Sequence, residues 1–190
     1  MPLIKDDKMT ADPWVTVADD EALPEDGQPI VSLDRWQSDR TELLRRNAPI
    51  GIRLKSDQPP NLIAEDLDHF AVVALEFPKF TDGRAFSYAR LLRERYGYAG
   101  ELRAVGNVLR DQLLFMQRCG FDAFEVAEGT PLEDWLKAKS EISVWYQPAT
   151  DGRTPVSVLR RGRKEPAGAP ASTADEAAIV QESGAAQWAY

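Results

Sequence analysis

One cysteine and one histidine among 190 residues leave little material for redox or metal chemistry. A lone thiol forms neither an internal disulfide, nor a four-thiolate zinc site, nor an iron–sulfur cluster, and a lone imidazole falls short of the two or three that catalytic zinc usually takes. No iron–sulfur or zinc site of the chain's own is expected, and the cofactor, if any, stays unknown. Long apolar runs are missing as well. No stretch approaches the roughly 20 residues of a membrane span, and no basic segment leads into an apolar signal core, so the expectation is a cytoplasmic protein without membrane contact. The net charge is −8, which gives no dominant positive field for nucleic acid or an anionic membrane. Gly-x-Gly-x-x-Gly, Gly-Lys-Ser/Thr and Cys-x-x-Cys are all absent, which removes the common nucleotide and dithiol signatures.

What is present is an ordinary soluble composition, 43% apolar and 28% charged, long enough for one domain with a real core. Three segments are legible. Residues 1–29 form an acidic arm, with Asp6, Asp7, Asp12, Asp19, Asp20, Glu21, Glu25 and Asp26 against Lys5 and Lys8. Residues 30–164 read as a single α/β domain. Residues 165–190, rich in Ala, Pro, Gly, Ser and Thr, read as a flexible tail that Trp188 and Tyr190 anchor onto the domain or a partner. In the arm, Trp14-Val-Thr-Val17 alternates like a strand, with Ile30-Val-Ser-Leu33 as its hairpin partner across Asp26-Gly27. An acidic docking arm is the other reading.

The middle alternates strands with amphipathic helices. A helix over about 38–46 precedes a strand at 50–54, and the Pro59-Pro60 pair opens a helix to His69. Ala71-Val-Val-Ala-Leu-Glu-Phe77 is nearly all apolar, as a strand buried on both faces requires. Helix 84–96, strand 101–105, helix 108–119 and strand 121–126 follow, the third helix ending at Gly120. Thr130-Pro131-Leu132-Glu133 reads as a cap opening a helix to Ser140. Ile142–Tyr146 reads as a strand with 156–159 as its hairpin partner. Consecutive strand–helix units imply a parallel sheet, either open, half-barrel-like, or a partial barrel completed by an N-terminal hairpin or a second subunit.

Ligands of such sheets bind beyond the C-terminal strand ends. The loops there hold Lys79, Asp82, Gly83, Arg84 and Ser87 after one strand and Asn107 and Arg110 after the next. With Arg103 they are candidates for a small-oxyanion or phosphate site, since helix N-termini and forked guanidinium donors favour anions. The competing reading has Asp82 and Asn107 as helix caps and the arginines solvated or paired. Residues 79–118 carry eight basic side chains against four acids, so an acidic chain has an arginine-rich middle. Glu76 and Glu125, both near strand ends, are a possible carboxylate pair. His69 reads as a helix-end residue and Cys119 as structural.

The run Phe77-Pro-Lys-Phe-Thr-Asp-Gly-Arg-Ala-Phe-Ser87, with Arg90-Leu-Leu-Arg93, Gly100-Glu-Leu-Arg-Ala-Val-Gly106, Asp111-Gln112 and Cys119-Gly-Phe-Asp-Ala-Phe-Glu125, resembles a bacterial family of unknown function. It is the family numbered nine hundred and thirty-four, often catalogued as probable oxidoreductases involved in sulfite reduction, and the likeness covers about residues 28–150. The resemblance implies a link to assimilatory sulfate reduction, with sulfite reductase or activated-sulfate reductase as partner, and supplies no catalytic residues. Sulfite reduction needs six electrons and usually a siroheme with an iron–sulfur cluster, for which this chain lacks the thiolates. The expected role is an accessory or assembly protein binding a small oxyanion or nucleotide. The alternatives are an α/β oxidoreductase with a non-standard flavin or nucleotide site, an enzyme on a small anionic metabolite, or a homodimer sharing a site.

Overall fold

A computed structural model describes residues 1–46 and 48–162; the tail expected at 165–190 lies outside the described residues. Eight strands make one sheet: β1 Leu3–Lys5, β2 Lys8–Thr10, β3 Trp14–Thr16, β4 Gln28–Ser32, β5 Ile50–Leu54, β6 Phe70–Phe77, β7 Glu101–Gly106 and β8 Ala123–Glu125. Their spatial order is β2-β1-β8-β7-β6-β5-β4-β3. Strands β3 to β8 are parallel neighbours in chain order. Crossovers of one hand that always step the same way place their helices on one face and curl the sheet toward a barrel. This is the α/β fold expected from the strand–helix alternation, in the half-barrel-like form among the arrangements that alternation left open.

The helical layer consists of α1 Leu33–Leu43, a 3₁₀ run Pro60–His69, α2 Arg84–Glu94, α3 Leu113–Cys119 and α4 Leu132–Ser140, followed by α5 Val156–Gly162. Its contact with the sheet is the main core, built from Val31, Ile52, Leu54, Val73, Leu75, Phe77, Leu102, Ala104 and Phe124 on the strands and Trp36, Ala85, Ala89, Leu92, Leu113, Met116 and Trp135 on the helices. Alternate strand residues face the other way. Ile30, Val72, Ala74 and Val105 form a second cluster on the concave face, with Trp14 packed on it. Gly51 gives the Trp14 ring its room: a Cβ there would stand 3.4 Å from the indole and 2.8 Å from Ile30.

Several local expectations change. The N-terminal hairpin is β1–β2, and its turn places Asp6 and Asp7 at φ 50° and 62°, the positive values a two-residue hairpin demands and aspartate tolerates. Trp14–Thr16 instead pairs parallel with β4, because residues 17–27 carry the chain back across the sheet. Helix α1 starts at Leu33 because the Ser32 hydroxyl accepts the Arg35 N–H at 3.0 Å and caps it. Thr130 caps nothing; its hydroxyl donates to the Ala127 carbonyl at 2.7 Å. Residues 142–146 are irregular and 156–162 are helical. The edge of β8, which the next strand in chain order would join, is taken by β1.

The curl has a measurable cause. Strands β2 and β3 are opposite edges of the sheet, yet only residues 11–13 connect them. Laid flat, eight strands would separate those edges by about 34 Å, whereas four residue steps reach at most about 14 Å. The link therefore crosses the open side of a bent sheet, and Asp12 ties it down there by a bidentate contact with Arg103 at 2.6 and 3.1 Å. Removing one partner of a buried ion pair typically costs about 3–5 kcal/mol. With Glu101 still on Arg103, the Asp12→Ala substitution is expected to destabilise the fold by about 2–3 kcal/mol in urea unfolding. Lys139→Ala, which breaks the exposed pair with Asp7, should cost less than about 1 kcal/mol.

Candidate functional site

On the concave face, register aligns Ser32, Arg53, Ala74, Arg103, Ala123 and Lys5 in one row across the sheet. One step toward the C-terminal strand ends stand Glu76, Val105 and Glu125. Small residues thus alternate with cations in one row, and carboxylates occupy the next. Arg53 meets Glu76 at 3.2 Å. Arg103, with no exposed side-chain surface, meets Glu101 at 2.8 Å and Glu125 at 3.6 Å besides Asp12. Lys5 closes the network on Glu101 at 2.7 Å.

Burial works against the Arg103 charge, but the Asp12 and Glu101 carboxylates outweigh it and hold its pKa above the ordinary value. The Lys5 pKa is raised by its hydrogen bond to Glu101, with desolvation opposing. Glu76 and Glu125 share the concave face but stand two strand spacings apart, about 10 Å, each beside its own arginine. They are two separate ion pairs rather than one proton-sharing dyad.

The residues anticipated as an anion site are dispersed over three places. Lys79, Asp82, Gly83 and Arg84 do share the loop after β6, where Lys79 is exposed and Gly83 precedes α2. Arg84, however, is latched: it donates to Asp82 at 2.7 and 3.0 Å and to the Ser56 hydroxyl at 2.9 Å. Asn107, exposed in the neighbouring loop, donates its backbone N–H to Phe77 O at 2.7 Å. Gly106 before it has φ +88°, and a Cβ there would stand 2.6 Å from that same carbonyl oxygen. Arg103 lies on the concave face. Ser87 and Arg110 lie on the helical side, where Arg110 binds Glu141 at 2.6 Å and the Asp134 carbonyl at 2.9 Å.

That helical side carries two adjoining clefts on either side of Phe115 and Arg118. One, about 180 Å³, is lined by Phe86, Ser87, Arg90 and Cys119; the other, about 300 Å³, by Arg110, Ala138, Ile142 and Trp145. Both sit at or below the small end of the range for small-molecule sites. Phe115 is 56% exposed and stacks on Phe86 at 4.8 Å, while Arg118 lies over Trp145 at 4.3 Å. Burial pushes the Cys119 thiol up to about 11, which keeps it protonated and unreactive at neutral pH. His69 ends the 3₁₀ run with its ring 6.3 Å from Trp36.

Sequence reasoning missed Asp12, Glu101, Arg53 and Trp14. One signal was available: an arginine in the apolar strand Leu102-Arg-Ala-Val105 sits on a buried face only with carboxylates around it. Which acids they were was invisible, since Asp12 is 91 residues away in the chain. Among the described residues, no group of three or more His, Cys, Asp or Glu is placed to hold a metal, and no helix is long and apolar enough to cross a membrane.

Fold and site together define a curled-sheet α/β protein with an ionic network on its concave face and an arginine–aromatic surface on its helices. The family profile described as "Bacterial protein of unknown function (DUF934)" matches residues 51–157. The chain belongs to that family. A search among curated proteins found no match.

The Asp82–Arg84 latch has a pH signature. Arg84 holds the Asp82 carboxyl well below the usual carboxylate range, although desolvation opposes it. A lowered native pKa stabilises the fold fully above the ordinary value of about 4 and loses that contribution as pH falls through the native value. Urea midpoints measured from about pH 5 down to about pH 2 should therefore fall more steeply for the wild type than for Asp82→Asn.

Proposed function

We propose that this protein is an accessory subunit of sulfite reduction that works by docking, not by carrying electrons itself. The observation that carries the docking role is the helical face around Phe115. Exposed phenylalanine beside arginine, tryptophan and shallow clefts is the composition of protein-binding hot spots. The pathway is supported by the resemblance described above and by nothing in the geometry. The small-oxyanion role at the loop after β6 is the weaker part, because Arg84 and Arg110 already have carboxylate partners. An anion there would have to displace Asp82 from Arg84.

The test is co-elution of the purified chain with sulfite reductase, and separately with activated-sulfate reductase, together with reductase turnover. A complex with either enzyme is expected, weakened at least tenfold by Phe115→Asp, whose exposed side chain leaves the core untouched. No complex with either, and unchanged turnover, would overturn the proposal. Thermal shift with sulfite, sulfate, phosphate and adenine nucleotides tests the anion role: stabilisation that Arg84→Ala abolishes would restore it. Flavin absorption bands in the purified protein would favour the oxidoreductase alternative.

A further inference from the structure

The helical face around Phe115 and Trp145 suits an extended chain better than a free small molecule. Its two clefts, about 180 and 300 Å³, share Phe115 and Arg118, so they are two side-chain-sized recesses a short step apart. The charge between them is positive. The first cleft is lined by Arg90 and Arg118 and by no carboxylate. At the second, Arg118 and Arg153 both lie over the Trp145 ring, at 4.3 and 5.1 Å, and share the single carboxylate of Asp151. Arg90, paired with Glu94 on the surface of α2, stays more than half exposed. Helix α5 starts at this place: its first residue, Val156, donates its N–H to the Trp145 carbonyl at 2.6 Å. Val158 and Leu159 on α5 add further exposed apolar side chains.

The sequence that follows α5 has the complementary composition. Residues 163–190 lie outside the described residues, and from position 165 onward they carry Glu165, Asp175, Glu176 and Glu182 with no lysine or arginine. Their bulky apolar side chains fall into two groups, Ile179-Val180 between the acids and Trp188 with Tyr190. We infer that residues 175–190 are an internal ligand of this face: Ile179-Val180 and Trp188 enter the two clefts, and Asp175, Glu176 and Glu182 meet the arginines around them. Reach is no obstacle. Extended, residues 163–178 span about 55 Å, and the wall formed by Trp145 is only one short helix away from their start. Positions 180 and 188 can stand up to about 26 Å apart, so both anchors reach adjoining clefts. A tethered segment acts at an effective concentration in the millimolar range, so contacts that hold the free peptide with a Kd of about 0.1 mM suffice to keep the face covered. A partner that docks on Phe115 binds by displacing the segment. This deepens the docking reading of the helical face and rests on it for the competing partner, while the segment's own binding does not.

The probe is a fluorescent peptide of residues 171–190, titrated with the full chain and read by anisotropy. Ile179→Asp/Trp188→Ala in the chain frees the face, so that double variant should bind the peptide at least tenfold more tightly than the wild type, whose own segment competes. Adding Phe115→Asp, at an exposed position, should abolish the binding. A peptide carrying Asp175→Asn, Glu176→Gln and Glu182→Gln should bind at least fivefold more weakly than the native one. In the full chain without those changes, a nitroxide on Ser183→Cys should broaden the amide signals of α3 and residues 145–149 at least fivefold more than those of β4. Buried Cys119, its thiol held protonated, escapes the label. The inference is overturned if the double variant binds the peptide no more tightly than the wild type, if the amide-substituted peptide binds as tightly as the native one, or if the nitroxide broadens α3 and β4 alike. None of these measurements contains a reductase, so their failure is separate from failure of the proposed pathway.

Discussion

A fully buried arginine in the middle of a sheet must be matched by charge, and the way this one is matched shapes the molecule. Two of its acidic partners, Glu101 and Glu125, sit on its own strand and the next. The third, Asp12, lies on the link between opposite sheet edges. Because that link is only three residues long, the sheet has to bend until both edges come within its reach. The ion pair and the short link enforce the same curvature, and the curvature in turn buries Ile30, Val72, Ala74 and Val105 without a helix over them. Buried ion pairs seldom stabilise more than apolar packing of the same volume. Their usual return is specificity, here of a single arrangement of the N-terminal segment over the concave face.

The same economy runs through the arginines elsewhere. Arg40 binds Asp66, which also accepts the Trp36 indole N–H; Arg84 binds Asp82; Arg93 gathers Asp122 and the carbonyls of Gly100 and Gly120; Arg118 binds Asp151. The basic middle of the chain is therefore mostly internal wiring that joins helices to loops, each guanidinium satisfying several acceptors with its fixed fork. A positive local charge count in the sequence does not translate into a positive cavity. The arginines that stay near solvent beside aromatic rings, around Phe115 and Trp145, are where the surface has recognition character.

Most strand–helix alternation was legible because apolar periodicity and glycine stops are local. The nearly all-apolar run at 71–77, the helix opened by Pro60 and the stop at Gly120 all fall where the structure has them. The errors were of pairing. A strand at 14–16 was readable, but whether it joined Ile30 antiparallel or parallel depended on the path of residues 17–27. The run at 142–146 has strand-like residues, yet the edge it would need was filled by β1, a three-residue strand from the other end of the chain. Of the anion candidates, Lys79, Asp82, Gly83 and Arg84 share one loop, whereas Ser87 and Arg110 lie on the helical side and Arg103 on the concave face.

By itself, then, the sequence determined the fold class, the parallel order of the central strands and the scarcity of thiol and imidazole ligands, since composition and short-range periodicity encode all three. Tertiary structure alone decided which carboxylate faces which guanidinium, which edge the N-terminal hairpin covers, and that Asp12 and Trp14 lie over the concave face. Those outcomes rest on contacts between residues up to 91 positions apart. Such contacts form only once the sheet has curled, and no local pattern records them.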